Sequence, residues 1–106
     1  MNDTKWREVW TVLCELRLRV HFAYAGDEGW NAANAARLWG PFPMSYVQND
    51  GIRDPGIGGP FRYKQILWIR VPRIAGNDVD AFVARVKSLG QLPLRVERDY
   101  VEVRGY

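Results

Sequence analysis

The stretch FRYKQILWIRV, Phe61 to Val71, decides how the rest of the chain is read. It opens by alternating, with Phe61 and Tyr63 toward one side and Arg62 and Lys64 toward the other. It then turns continuously apolar through Ile66, Leu67, Trp68 and Ile69. Alternation marks a half-buried strand and an unbroken apolar run marks a central one, so the stretch predicts one strand in the middle of a sheet, ended by Pro72, with Trp68 buried. Downstream, Val79, Phe82, Val83, Val86 and Leu89 recur at spacings of three and four, on one face of a helix capped by Asn77 or Asp78 and closed at Gly90. The last segment alternates as Leu94 and Val96, then as Val101 and Val103, with a switch of parity between the pairs. A bulge or a tight reversal near Arg98 and Asp99 reconciles them.

Working upstream, Gly51 to Pro60 (GIRDPGIGGP) has six Gly or Pro in ten residues and reads as a long loop. Before it, Met44 to Val47 is a short strand candidate, since Pro43 disfavours helix at Phe42. Trp30 to Trp39 (WNAANAARLW) carries helix-forming alanines behind an Asn31 cap. Ala25 to Gly29 is a turn. Leu18, Val20, Phe22 and Tyr24 alternate against Arg17, Arg19, His21 and Ala23, as a half-buried strand does. Trp6, Val9, Trp10, Leu13 and Leu16 form the apolar stripe of an opening helix capped by Asp3 or Thr4. The connections between strands are too short for crossover helices, so the pairing is mostly antiparallel. The expected fold is a two-layer α+β sandwich: a sheet of about four strands with two main helices on one face.

At 106 residues and 12.3 kDa the chain is expected to be a single domain, residues 1–106, with 47% hydrophobic and 25% charged residues. No run approaches the roughly 18 apolar residues of a membrane span, and MNDTKWREVW lacks the pattern of a signal peptide. The single Cys excludes an internal disulfide framework and fits a reducing compartment, so the expected location is cytoplasmic, with no membrane partner. The net charge is +3, but twelve of the fifteen basic residues are Arg scattered among acids. Two short basic stripes stand out, Arg17 and Arg19 with His21, and Arg62 with Lys64.

Tests for chemistry find little. Cys14 follows Trp10 by four residues and reads as a small buried hydrophobe rather than a nucleophile. One Cys and one His cannot make a structural zinc set. Gly51 to Gly56 has the outer spacing of a phosphate loop, but Ile57 and Gly58 follow where Lys and Ser or Thr are required, and the dinucleotide pattern fails at Phe61. No catalytic residue, metal or cofactor is assigned. A catalyst built on His21 and nearby acids would need a cleft around that residue.

Binding has more support, because Trp, Tyr and Arg dominate interface hot spots. TKWREVW (Thr4 to Trp10), ILWIRV (Ile66 to Val71) and LPLRVERDYVEVRGY (Leu92 to Tyr106) resemble the opening, central and closing segments of a family of small uncharacterised bacterial α+β proteins. That resemblance implies a compact bacterial domain without established catalytic residues. Its style is also similar to that of immunity proteins, which neutralise a toxin by binding it. On this reading the partner is a protein, a toxin or effector, met by the Gly/Pro loop and the turn near Trp30. Asp27, Glu28, Trp30, Arg53, Asp54, Ile57 and Arg62 are then the contact residues. A basic chain suits an acidic partner surface. The alternative is a nucleic-acid-binding module that uses Arg17, Arg19, Arg62 and Lys64 as a sheet-face patch.

Overall fold

A computed structural model describes residues 1–26, 29–53 and 60–105. Along the chain lie α1 (Asp3–Glu15), β1 (His21–Tyr24), α2 (Ala32–Ala36), β2 (Gly51–Ile52), β3 (Phe61–Arg62), β4 (Ile66–Pro72), α3 (Val79–Ser88), β5 (Leu94–Val96) and β6 (Tyr100–Arg104). Single 3-10 turns occupy Met44–Tyr46 and Tyr63–Gln65. The main sheet is antiparallel throughout, in the order β1-β4-β6-β5, and β2 with β3 forms a small second sheet. The expected α+β sandwich stands. Trp6, Trp10 and Leu13 of α1 with Phe82 and Val86 of α3 share one buried core with Phe22, Ile69, Val71, Val101 and Val103 of the sheet.

FRYKQILWIRV is not one strand but two, joined by a turn. Tyr63 is fully buried and its hydroxyl donates to the Gln48 carbonyl at 2.7 Å. Tyr24 donates to Gln65 Oε1 at 2.5 Å and accepts from the Arg62 N–H at 3.2 Å. These ties hold Tyr63–Gln65 as a bend that no period within the stretch signals. β4 then carries a bulge. Ala23 pairs with Trp68 and Tyr24 with Ile66, leaving Leu67 as the extra, exposed residue. The bulge lets both Ile66 and Ile69 face the helices, and it sends Trp68 and Arg70 to the opposite face. Trp68 is therefore half-buried, not buried. β4 does lie centrally, as its composition implied.

Met44 to Val47 also departs from expectation. The Tyr46 N–H bonds back to the Pro43 carbonyl at 2.9 Å, closing a 3-10 turn, and only Val47 makes a bridge, to Ile52. The first helix is capped by Asn2, whose side chain accepts from the Lys5 N–H at 2.9 Å, so Asp3 sits in the first turn, where its charge suits the helix dipole. Asp78 caps α3. Asn77 has a different task. Pro72 lacks an N–H to complete the ladder beside Arg19, and the Asn77 amide fills in. It accepts from the Arg19 N–H and donates to the Arg19 and Pro72 carbonyls, each at 3.0 Å. The parity switch near Arg98 and Asp99 is a hairpin reversal, pairing Leu94 with Val103 and Val96 with Val101.

Two variants test this account. Asn77→Ala strands partly buried backbone groups and should cost about 1–3 kcal/mol in urea denaturation. Arg17 closes α1 in a left-handed conformation, φ 52°, that glycine adopts without strain. Arg17→Gly should raise stability by about 0.5–1 kcal/mol.

Candidate functional site

One face of the main sheet is covered by neither α1 nor α3, and only the short α2 borders it, beside β1. Every second residue of its strands points there, and the register lines up His21, Arg70, Glu102 and Arg95 across all four strands. Beside that row lie Ala23, Trp68 and Arg104, and on its other side Pro72 and Tyr100. β6 is an inner strand, and Glu102 on it is only 1% exposed. Arg70 Nε donates to its Oε1 at 2.8 Å and Arg104 Nε to its Oε2 at 2.5 Å, while each arginine side chain keeps a third of its surface in water. Burial alone would push the Glu102 carboxyl up, but the hydrogen bonds and charges of Arg104 and Arg70 outweigh it and hold the group below its ordinary value. The acid is sealed in and the cations are on show.

Arg70 is held from two more sides. Its Cζ lies 4.0 Å from the ring centre of Trp68 and 4.8 Å from that of Tyr100. Cation–π contacts of this kind contribute about 0.5–2 kcal/mol each and fix the guanidinium plane. Next to this stack runs a groove of about 360 Å³. Ala35 and Ala36 of α2 form one wall, His21, Trp68 and Arg70 the floor, and Pro72, Asp99 and Tyr100 the far end. His21 Nδ1 lies 2.9 Å from the Arg37 carbonyl, which can only accept, so Nδ1 carries the proton and Nε2 is left for other partners.

The cleft required of a His21 catalyst is thus present. Its described lining includes one imidazole, His21, one acidic residue, Asp99, and the phenol of Tyr100, with no Ser, Thr or Cys. Cys14 is buried elsewhere, where burial, and then Glu15, push its thiol up to about 11, so it stays protonated at neutral pH. Among the described residues no three His, Cys, Asp or Glu side chains gather as metal ligands. A larger hollow of about 800 Å³ lies on the helix side near Val86, Leu92, Leu94 and Val96, and it assembles no chemical group of interest.

Of the residues expected to contact a partner, Asp27, Glu28, Asp54 and Ile57 lie outside the described residues. Trp30 is half-buried and serves packing: it stacks on Trp39 at 5.8 Å and lies 4.7 Å from Phe22 and 5.5 Å from Phe61. Arg53 and Arg62 are exposed, Arg62 in β3 of the small sheet and Arg53 just after β2. Arg53 lies over Tyr46 and Arg62 pairs with Asp50 at 2.9 Å. The four cations read as one patch do not share a sheet face. Arg17 and Arg19 precede β1, Arg62 is in the small sheet and Lys64 is in a turn. The open face instead presents Arg70, Arg95, Arg104 and His21. Their signal was present in the final strand, where Tyr100, Glu102 and Arg104 alternate with valines, but which cation meets which ring depends on cross-strand register.

No protein family, curated protein or solved structure matches this chain. No helix among the described residues is long and apolar enough to cross a membrane.

The Glu102 site has a pH signature. Because its folded pKa lies below the ordinary 4.5, it contributes stability that is present above that value and is lost as pH falls through the lowered folded pKa. Glu102→Gln should cost about 1–3 kcal/mol at pH 7, and its urea midpoint should fall less than that of the parent chain between neutral and strongly acid pH.

Proposed function

We propose that this chain is a non-enzymatic binding protein of the immunity type, acting in the cytosol on a toxin or effector protein by direct contact. The observation that carries the reading is Arg70, clamped between Trp68 and Tyr100 and anchored on a sealed carboxylate at the open sheet face. A surface that holds its Arg and aromatic side chains in place before binding loses little entropy on binding, and these residue types supply most hot spots. The net charge of +3 favours an acidic partner surface. The loop stem, with Arg53 and Arg62, is the second surface we assign to the partner.

Single-stranded nucleic acid is the second reading. It is favoured by Trp68 and Tyr100 on the face of a four-stranded antiparallel sheet that α1 and α3 leave open, an arrangement on which bases stack.

Co-expression with the product of the neighbouring gene tests the first reading. The chain should restore growth and copurify with that product. Trp68→Ala combined with Tyr100→Ala should weaken the complex by about tenfold or more, with the fold intact by circular dichroism. A chain that protects against no neighbouring effector defeats the proposal. Affinity for oligonucleotides falling by orders of magnitude between 50 and 200 mM salt, as roughly six or more phosphate contacts require, would establish the second reading in its place.

A further inference from the structure

β5 ends the main sheet: one of its edges meets β6, and no described strand lies along the other. In an antiparallel ladder, residues whose backbone groups bond to the neighbouring strand alternate with residues whose groups point away from it. The Glu97 N–H donates to the Tyr100 carbonyl at 2.9 Å and the Arg104 N–H to the Pro93 carbonyl at 3.0 Å, so Pro93, Arg95 and Glu97 turn toward β6. Leu94 and Val96 therefore turn outward. The Leu94 N–H is committed to the Leu92 carbonyl at 2.7 Å, whereas the N–H and C=O of Val96 open onto the free edge. The Val96 side chain lies on the helix side, paired with the buried Val101, and at 56% it is the most exposed large hydrophobic among the described residues. With Val86, Leu92 and Leu94 it lines the hollow that stays open beside that edge. On the opposite face Arg95 and Glu97 form an ion pair at 3.0 Å, open to water.

We infer that β5 pairs with β5 of a second copy of this chain, antiparallel about a two-fold axis through Val96. The two Val96 residues exchange N–H and C=O bonds, which satisfies the outward groups of both edges. Arg95 then stands directly opposite Glu97 of the second copy, at the non-hydrogen-bonded position where side chains approach most closely, and Glu97 stands opposite Arg95 of the second copy. An axis at Arg95 sets Arg against Arg, an axis at Glu97 sets Glu against Glu, and an axis at Leu94 needs an N–H already in use. The charges thus select one register, in which the edge is its own complement. On the helix side the two Val96 side chains cover each other at the mouths of the two hollows. This pairing goes beyond the immunity reading and does not depend on it, since Trp68, Arg70 and Tyr100 lie on inner strands and stay uncovered.

Sedimentation equilibrium of the full chain at physiological salt is the test. It should show a monomer–dimer equilibrium with a dissociation constant between about 10 µM and 1 mM, the strength suited to a short edge contact. Arg95→Glu and Glu97→Arg each set like charges opposite one another, and each should weaken self-association by about tenfold or more. Mixed in equal amounts, these two variants are complementary at both positions and should associate with each other as tightly as the parent chain does with itself. Val96→Pro removes the outward N–H and should also give a monomer. Circular dichroism checks the fold of every variant, and if the proline variant unfolds, the two charge variants decide alone. A parent chain still monomeric at about 1 mM, a dimer that the charge variants leave unchanged, or charge variants that stay apart when mixed would each overturn the inference.

Discussion

A carboxylate sealed beneath two guanidiniums is what allows the sheet face away from α1 and α3 to stay open to water. β6 lies between β4 and β5, so its outward-pointing Glu102 is flanked on both sides and reaches almost no water. An uncompensated charge there would cost several kcal/mol. Arg70 and Arg104 satisfy one oxygen each, and both remain wet enough to be solvated. Glu102 in turn sets where Arg70 sits, and Arg70 covers faces of Trp68 and Tyr100 that would otherwise form an apolar patch. The acid is buried so that the surface can be cationic and aromatic at once.

The two faces of the sheet use the same residue types for different ends. On the helix side Trp10, Phe22, Trp30, Trp39 and Phe61 pack ring against ring, with neighbouring centroids 4.7–5.9 Å apart. These aromatics serve stability. On the other side Trp68 and Tyr100 face a cation rather than further rings. An aromatic content of 13% is therefore no measure of binding surface until the faces are separated.

Where a single element carried its own period, sequence and structure agree. The stripes of α1 and α3, the alternation from Leu18 to Tyr24 and the parity switch before Tyr100 were all legible, because burial against one neighbouring layer imposes a fixed spacing. The break at Tyr63–Gln65 was not legible. It depends on Gln48 and Tyr24, which are distant in sequence. Trp68 was misplaced for a related reason: in an unbroken apolar run a bulge at Leu67 changes which residues face the helices, and only the pairing with β1 reveals it. The site fared worse than the fold. Its members come from three strands, and what joins them is register across the sheet, which no local pattern encodes. Trp30 keeps part of its surface in water, but its position is decided by Trp39 and Phe22.

The ion pairs of the described residues are of two kinds. Lys5 with Glu8, Arg62 with Asp50, Arg73 with Asp80, Arg85 with Glu15 and Arg95 with Glu97 are one-to-one pairs at least partly open to water. Each cancels locally, is screened by salt, and contributes little to stability or to the field. Glu102 differs because two cations share it and it cannot be reached by solvent. Solvent and counter-ions reach the guanidiniums but not the acid between them, so this pairing is held by the fold rather than by mobile side chains. The guanidinium of Arg70 is thereby fixed in place by an acid and two rings, which the exposed one-to-one pairs do not achieve for theirs.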